Sequence, residues 1–311
     1  MKVSFAQMSS TLLRQAAIVH GDVTDGPADV RIVDGTIAEV GPDLAAGDAA
    51  TLDLDGALLL PAAVEPHAHL DKAFLAERVD NRTGDLTGAI DAMIAMADRI
   101  TFDDIVERAE RAARLMATNG YVAVRTHADT NQFGGLRNVE ALAEVRRRVA
   151  DVIDVEIVAL TGEPVVGVAG ATHRSLLRDA LAAGADLVGG CPHLEGAGTV
   201  EEATDVFLEI AVDAGVGVDL HTDETLDPGV MGLEYLARQV LAGFPYPVTA
   251  SHCVSLGQRD VGEQQRIAEL VAAAHIGVVT LPHTNLWLGG RDQQPVPRGL
   301  TAVDALRRAC L

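Results

Sequence analysis

Basic side chains are scarce in this sequence. Lysine and arginine together number 24 against 45 acidic residues, a net charge of −21, and Lys2 and Lys72 are the only lysines. Nucleic acid is bound through clustered lysine and arginine, so it is excluded as an expected partner. Long apolar runs are also missing. None reaches the roughly 18 residues that a bilayer span requires, so no membrane partner is expected. The opening MKVSFAQMSSTLLRQ has neither the apolar core nor the small-residue cleavage site of a secretory leader. Cysteine is limited to Cys191, Cys253 and Cys310. An odd, dispersed set argues for free thiols in a reducing compartment, and the cytoplasm is the expected location. No glycine-rich phosphate loop opens a first helix, which weakens a dinucleotide-binding fold.

What is present is a globular chain, 48% apolar and 22% charged. Residues 1–57 carry short apolar stretches (AAIVHGDV, ADVRIVDG, TIAEVG, ATLDLDG), each closed by Gly or Asp-Gly. This is the pattern of a small half-buried β-unit. From residue 58 to 311 the pattern becomes strand, helix, strand. Strand-length runs occur at LLLPAAVEP, YVAVRT, DVEIVAL, ADLVGG, VGVDL, YPVTAS and IGVVTL. Helical stretches separate them near 101–119, 137–150, 173–183, 199–214, 230–242 and 262–274. In the first, Thr101 can cap, Gly120 can terminate, and Ile105, Ala109, Ala112, Leu115 and Met116 share one face. Alternating strands and helices predict a parallel α/β protein, either an open sheet or a closed barrel.

The histidines decide between the two. His67, His69, His127, His193, His221 and His252 all fall at or just past the ends of strand-like runs. In a barrel those ends converge on one mouth, whereas in an open sheet they spread along an edge. A TIM-type (β/α) barrel is therefore expected. Alternate residues of a strand point the same way, so the imidazoles of His67 and His69 can grip one cation. HTDE supplies a third imidazole, His221, and a carboxylate three residues on, Glu224, placed to move protons without ligating. Three ligands with a position left for water is a catalytic rather than a structural pattern. His252 is placed to hydrogen-bond that water. His20, His173 and His275 read as surface or cap residues. His283 could touch substrate or be structural, and Cys253 reads as a buried thiol. Asp71 and Lys72 could contact substrate or form a bracing salt bridge.

In order along the chain, LLPAAVEPHAHLDKAF, VRTHAD, GADLVGGCPHLE, VDLHTDE, VTASHC and LPHTNLWLGGR resemble the cytosine deaminase-like branch of the amidohydrolase superfamily. The HLDK continuation is similar to the members that act on N-alkylated triazines, the N-isopropylammelide amidohydrolases. The resemblance implies a distorted (β/α)8 barrel with a small β-sandwich, and His67, His69 and His221 as ligands of one divalent ion, iron or zinc. ADLVGGCPHLE has no lysine to bridge a second metal. Glu224 is implied as the proton shuttle and His252 as the group orienting water. The implied activity is hydrolysis of a C–N bond in a small nitrogen heterocycle such as a pyrimidine or triazine, by deamination or amine removal. Ring opening of a cyclic amide is the alternative. Where cytosine deaminases carry a glutamine that reads the pyrimidine edge, this chain has Gly162 or Glu163. Those two, with His193 and Lys72, are the expected substrate contacts.

The resemblance also leads one to expect an eighth strand, bearing an aspartate ligand, beyond the helix TAVDALRRA. Its lack leaves unpaired edges on the first and seventh strands. A catalytically dead fragment is therefore a further alternative. A homo-oligomer stays open.

Overall fold

The computed structural model describes residues 10–21, 23–196, 198–291 and 293–310. Lys2 and the side chain of His20 lie outside the described residues. The chain divides into two compact units, Met1–Ala63 and Val64–Leu311.

The first unit is a sheet in the order β3-β2-β1-β4, with β5 pairing with β1. Strands β1 (Ser10–His20) and β2 (Val23–Val33) form a long antiparallel ladder with bulges near Leu13 and Ala16. β3 (Thr36–Gly41) follows through Asp34 and Gly35, both with positive φ, as a tight hairpin requires. β4 (Ala50–Asp53) and β5 (Leu58–Leu59) run parallel to β1. The buried Asp29 carboxylate is satisfied by Arg14 at 2.9 Å and by the Gln15 and Leu44 amides, both at 3.0 Å. Ile37 and Val40 stay exposed.

The second unit contains seven parallel strands in sequential order, wrapped by helices. They are β6 (Ala63–Ala68), β7 (Tyr121–Thr130), β8 (Asp154–Thr161), β9 (Leu187–Gly190), β10 (Val218–Thr222), β11 (Val248–His252) and β12 (Gly277–Val279). This is a nearly closed TIM-like barrel, as the histidines at the strand ends predicted. Among the described residues β6 and β12 are its two edges.

The helices are α1 (Leu86–Met96), α2 (Phe102–Thr118), α3 (Arg137–Val149), α4 (Ala171–Ala182), α5 (Val200–Ala214), α6 (Gly232–Leu241), α7 (Val254–Gly257), α8 (Val261–Ala273), α9 (Pro282–Leu288) and α10 (Val303–Ala309). The cap of α2 is as its sequence predicted: the Thr101 side chain accepts from the Asp104 amide at 3.2 Å, and Gly120 follows with φ +88°. Its apolar face is narrower than predicted. Ile105, Ala109 and Ala112 are buried, but Leu115 is exposed, because Val106 and Ala113 rotate the buried stripe.

The core lies between barrel and helices. Phe207 on α5 is fully buried and packs onto Gly190 so closely that a β-carbon there would meet the ring at 2.1 Å. Helices α6 and α8 are tied by Glu234, which Arg266 grips at 2.7 and 2.8 Å and Arg238 at 2.5 Å. No helix among the described residues is long and apolar enough to cross a membrane.

Two predictions concern this framework. Phe207→Ala should destabilise the barrel by about 3–5 kcal/mol in urea titrations. Arg266, with Arg238 in support, holds the Glu234 carboxyl down from its usual 4.5 to about 2. The unfolded chain takes up that proton near 4.5 and the folded chain resists it. The stabilisation is therefore complete above 4.5 and is lost as pH falls from 4.5 towards 2. The gap in denaturation midpoint between wild type and Glu234→Gln should be constant above about pH 5.5 and narrow steadily below it.

Candidate metal centre and active site

Strand alternation builds the site in layers. On β7 the residues Arg125, His127 and Asp129 share one side, and on β10 Asp219 and His221 do. In the lowest layer Arg125 donates to Asp219 Oδ2 at 2.9 Å, to Thr249 Oγ1 at 2.8 Å and to Glu156 at 2.5 Å. The register of β10 against β11 sets His221 beside Ser251 and Thr222 beside His252. Ser251 donates to Asp219 Oδ1 at 3.2 Å, so it accepts from His67 Nδ1 at 2.9 Å. That bond fixes the proton of His67 on Nδ1 and leaves the Nε2 lone pair free.

Above this layer the rings of His67, His69, His127, His221 and His252 crowd together, with neighbouring centroids 4.2–5.3 Å apart. Ligand atoms of His67, His127 and His221 all lie within 4.8 Å of one another. His69 Nε2 is 3.2 Å from His221 Nε2. Thus the structure gathers all three sequence-predicted ligands and adds His127, which the sequence placed at a strand end without a role.

Burial first, with neighbouring cations and imidazoles adding to it, lowers the pKa of His67, His69, His127 and His221. His67 is held at about 3 by burial and by His252, and His69, His127 and His221 lie well below the usual value. Neutral imidazoles are what a cation requires. Both His127 nitrogens and His221 Nδ1 are buried without a hydrogen-bond partner, which is costly unless something else engages this cluster. Lys72 Nζ, a donor only, lies 3.1 Å from His69 Nδ1, so the His69 proton sits on Nε2, shared towards His221. The donor set fits a divalent metal.

Asp223 turns the chain after β10. Its φ is +50°, and its carboxylate accepts from the Gly232 and Leu233 amides at 3.0 and 2.8 Å, at the start of α6. Any side chain at Gly232 would strike that carboxylate, because its β-carbon would lie 2.6 Å from Oδ1. The turn delivers Glu224 to the cavity. Asn285 on α9 donates to Glu224 Oε1 at 3.1 Å and to His252 Nδ1 at 2.9 Å, and the two acceptors are 3.1 Å apart. His252 then carries its proton on Nε2, which is buried and otherwise unpartnered. His252 and Cys253 both have positive φ, 70° and 50°, a strained backbone pair at the end of β11.

A cavity of about 360 Å³ opens above the histidines, lined by His69, Lys72, Gly162, Glu163, Glu224 and His252 among others. Lys72 is paired with Asp129 at 2.7 Å; it braces the loop and faces the cavity. The 3₁₀ turn that bears it is pinned by Arg108, which donates to the Asp71 and Ala73 carbonyls at 2.9 and 2.7 Å. His193 is not among the lining residues; its Nδ1 donates to the His221 carbonyl at 3.0 Å, supporting β10 from behind. His283 is exposed, and Cys253 is a buried free thiol.

His173 departs from its surface expectation. It is buried, donates from Nδ1 to the Pro164 carbonyl at 2.8 Å, and lines the cavity behind Gly162. Its place one turn into α4 gave no period signal. Ser251 and Asn285 were also missed, although both sit inside quoted motifs, TASHC and LPHTN. A polar residue next to a strand-end histidine was the available signal.

Fold and site together define a TIM-like barrel whose strand-end histidines form a candidate metal centre. No protein-family model matches the sequence. The 5-methylcytosine deaminase of Klebsiella pneumoniae superposes with a TM-score of 0.85 at 31% identity, over 96% of this chain and 72% of that one. The pterin deaminase of Rhizobium rhizogenes is 31% identical over 91% of this chain. N-isopropylammelide isopropyl amidohydrolase of Pseudomonas sp. is 27% identical over 73%. The chain spans 65% and 58% of the lengths of those last two. It belongs to the amidohydrolase family.

Ser251→Ala removes the bond that fixes the His67 tautomer. Its affinity for zinc, read by competition with a chelating dye, should fall about 10–100-fold. Unchanged affinity would show that His67 needs no such support.

Proposed function

We propose that the chain is a metal-dependent hydrolase that removes an amino or alkylamino group from a ring carbon of a small nitrogen heterocycle. The observation that carries this reading is the juxtaposition of a buried neutral histidine cluster with the Glu224–Asn285–His252 triad at one cavity. The names of the similar deaminases and of the ammelide hydrolase support it. His67, His69 and His221 would hold one ion, zinc or iron, with His127 beside them. When bound, the ion supplies Lewis acidity that makes water nucleophilic near neutral pH.

The protein's own groups do the rest. Glu224 Oε1 is engaged by Asn285, which leaves Oε2 to accept a proton from the attacking water. That proton passes to a ring nitrogen as the carbon becomes tetrahedral; Oε2 then takes the hydroxyl proton of the adduct and delivers it to the amine, which leaves as the C–N bond breaks and the carbonyl forms. His252 Nε2–H donates to the water or to the developing adduct, and Asn285 keeps both groups in line. Lys72 and Asp129, with Gly162 and His173, would face the far edge of the ring. A cytoplasmic setting and small-molecule ligands belong to this reading, supported by three free thiols and the charge of −21.

Glu224→Gln keeps the shape and the Asn285 contact but cannot carry the proton. It should retain bound metal by elemental analysis while kcat falls about 10²–10⁴-fold. Full turnover in that variant would sink the mechanism.

A further inference from the structure

Gly162 follows the last residue of β8 and forms part of the cavity wall. A β-carbon built there would touch two side chains at ordinary van der Waals distance, Asn131 Cβ at 3.6 Å and His173 Nε2 at 3.7 Å. The missing side chain thus leaves a gap flanked by these two residues, and both line the same cavity. Each has one polar atom fixed by the backbone. His173 is buried, and its Nδ1 lies 2.8 Å from the Pro164 carbonyl, an acceptor, so the ring proton sits on Nδ1 and Nε2 presents a lone pair. Asn131 Oδ1 accepts from the Phe133 and Gly134 amides, both at 3.0 Å. Those two bonds fix the orientation of the side-chain amide and leave Nδ2 as a donor. Among the described residues neither His173 Nε2 nor Asn131 Nδ2 has a protein partner. Neither belongs to the sealed, unpartnered polar atoms of the interior, so both are open to the cavity. Glu163, the other residue expected at this wall, is exposed.

We infer that His173 and Asn131 read the substrate through the gap at Gly162, as an acceptor and a donor set side by side. The inference rests on the hydrolase reading above and names the residues that set its specificity. A ring edge that fits them carries an N–H next to a carbonyl or an unprotonated nitrogen. The N–H bonds to His173 Nε2, and its neighbour accepts from Asn131 Nδ2. A glutamine at position 162 would supply the same donor and acceptor from one flexible amide. Here two side chains on different elements supply them, one following β7 and one on α4, and backbone bonds already hold both in place. Groups fixed beforehand lose little freedom when the substrate binds. They also accept only the complementary edge, because an edge without the N–H leaves His173 Nε2 unpaired against the ligand.

The test uses the full chain with cytosine, pterin and ammelide, and with the oxo product of each. His173→Asn keeps a donor for the Pro164 carbonyl but has no atom at the Nε2 position. Asn131→Asp keeps the oxygen that takes the Phe133 and Gly134 amides and turns the donor into an acceptor. Gly162→Ala adds a methyl group at ordinary contact distance, which covers the gap. On the ring that is turned over, each variant should raise KM about 3–10-fold, the worth of one hydrogen bond, with kcat changed less than about twofold. Calorimetry on the oxo products gives a readout that a merely structural role would not move. Methylating one particular ring N–H should weaken binding to the wild type at least about threefold, and binding to His173→Asn hardly at all. KM unchanged in all three variants, a loss confined to kcat, or a methylation penalty equal in wild type and His173→Asn overturns the inference and leaves the hydrolase reading standing. If no ring in the panel is either hydrolysed or bound, the hydrolase reading itself fails, and this inference with it.

Discussion

Asp219 is the group on which the geometry of the site depends. It is fully buried at the base of the histidine cluster, where an unpaired carboxylate would be prohibitively costly. Burial pushes its pKa up to about 6, while Arg125 and Ser251 pull the other way. One oxygen is taken by Arg125, and the other accepts from Ser251 and lies 3.7 Å from His127 Nε2. Through Ser251 its charge sets the tautomer of His67. Arg125 in turn ties β7 to β8, β10 and β11 through Glu156, Asp219 and Thr249. The barrel interior, which in most such folds is filled with branched aliphatics, is here a hydrogen-bonded column that ends in imidazoles.

A polar interior of this kind is weak evidence for stability, since well-packed apolar residues could do as well. What it contributes is position. Every bond in the column runs between different strands, so the column acts as a gauge of strand register: a slip of one residue on β10 would turn His221 and Asp219 outward together. The helices supply the stabilisation that the column does not. Phe207, Leu142, Ile157 and Leu220 are buried almost completely around it.

Much of this was legible in the sequence, for a physical reason. Parallel strands buried on both faces read as short apolar runs, and each run was found. Histidines at their ends had to converge if the sheet curled. The partners of those histidines were less legible. Ser251 and Asn285 act through hydrogen bonds to residues far away in the chain, and nothing in local spacing encodes such a bond. Helix α1 was missed because its apolar stripe faces a cavity, so the usual polar-out, apolar-in contrast is blurred by Thr87, Gly88 and Ala92. His173 was misplaced because a helix start usually lies at the surface, and this one closes over Pro164 and the cavity wall. Each miss falls on a residue whose role is set by what it meets in space, not by the chain beside it.

The depressed histidines link folding to cation binding. In an unfolded chain each imidazole would take a proton near 6.5, but His67 in the barrel resists protonation down to about 3. As pH falls below 6.5 the unfolded state binds more protons than the folded one, and the cluster then works against the fold. Above 6.5 the rings are neutral in both states, and only their crowding and lost hydration remain as a cost. A divalent cation would engage lone pairs such as that of His67 Nε2, already unprotonated, and would bind the folded chain in preference to the unfolded one. The arrangement that makes the bare cluster acid-sensitive therefore also leaves it largely free of proton competition at neutral pH, the condition under which these rings would hold a divalent cation.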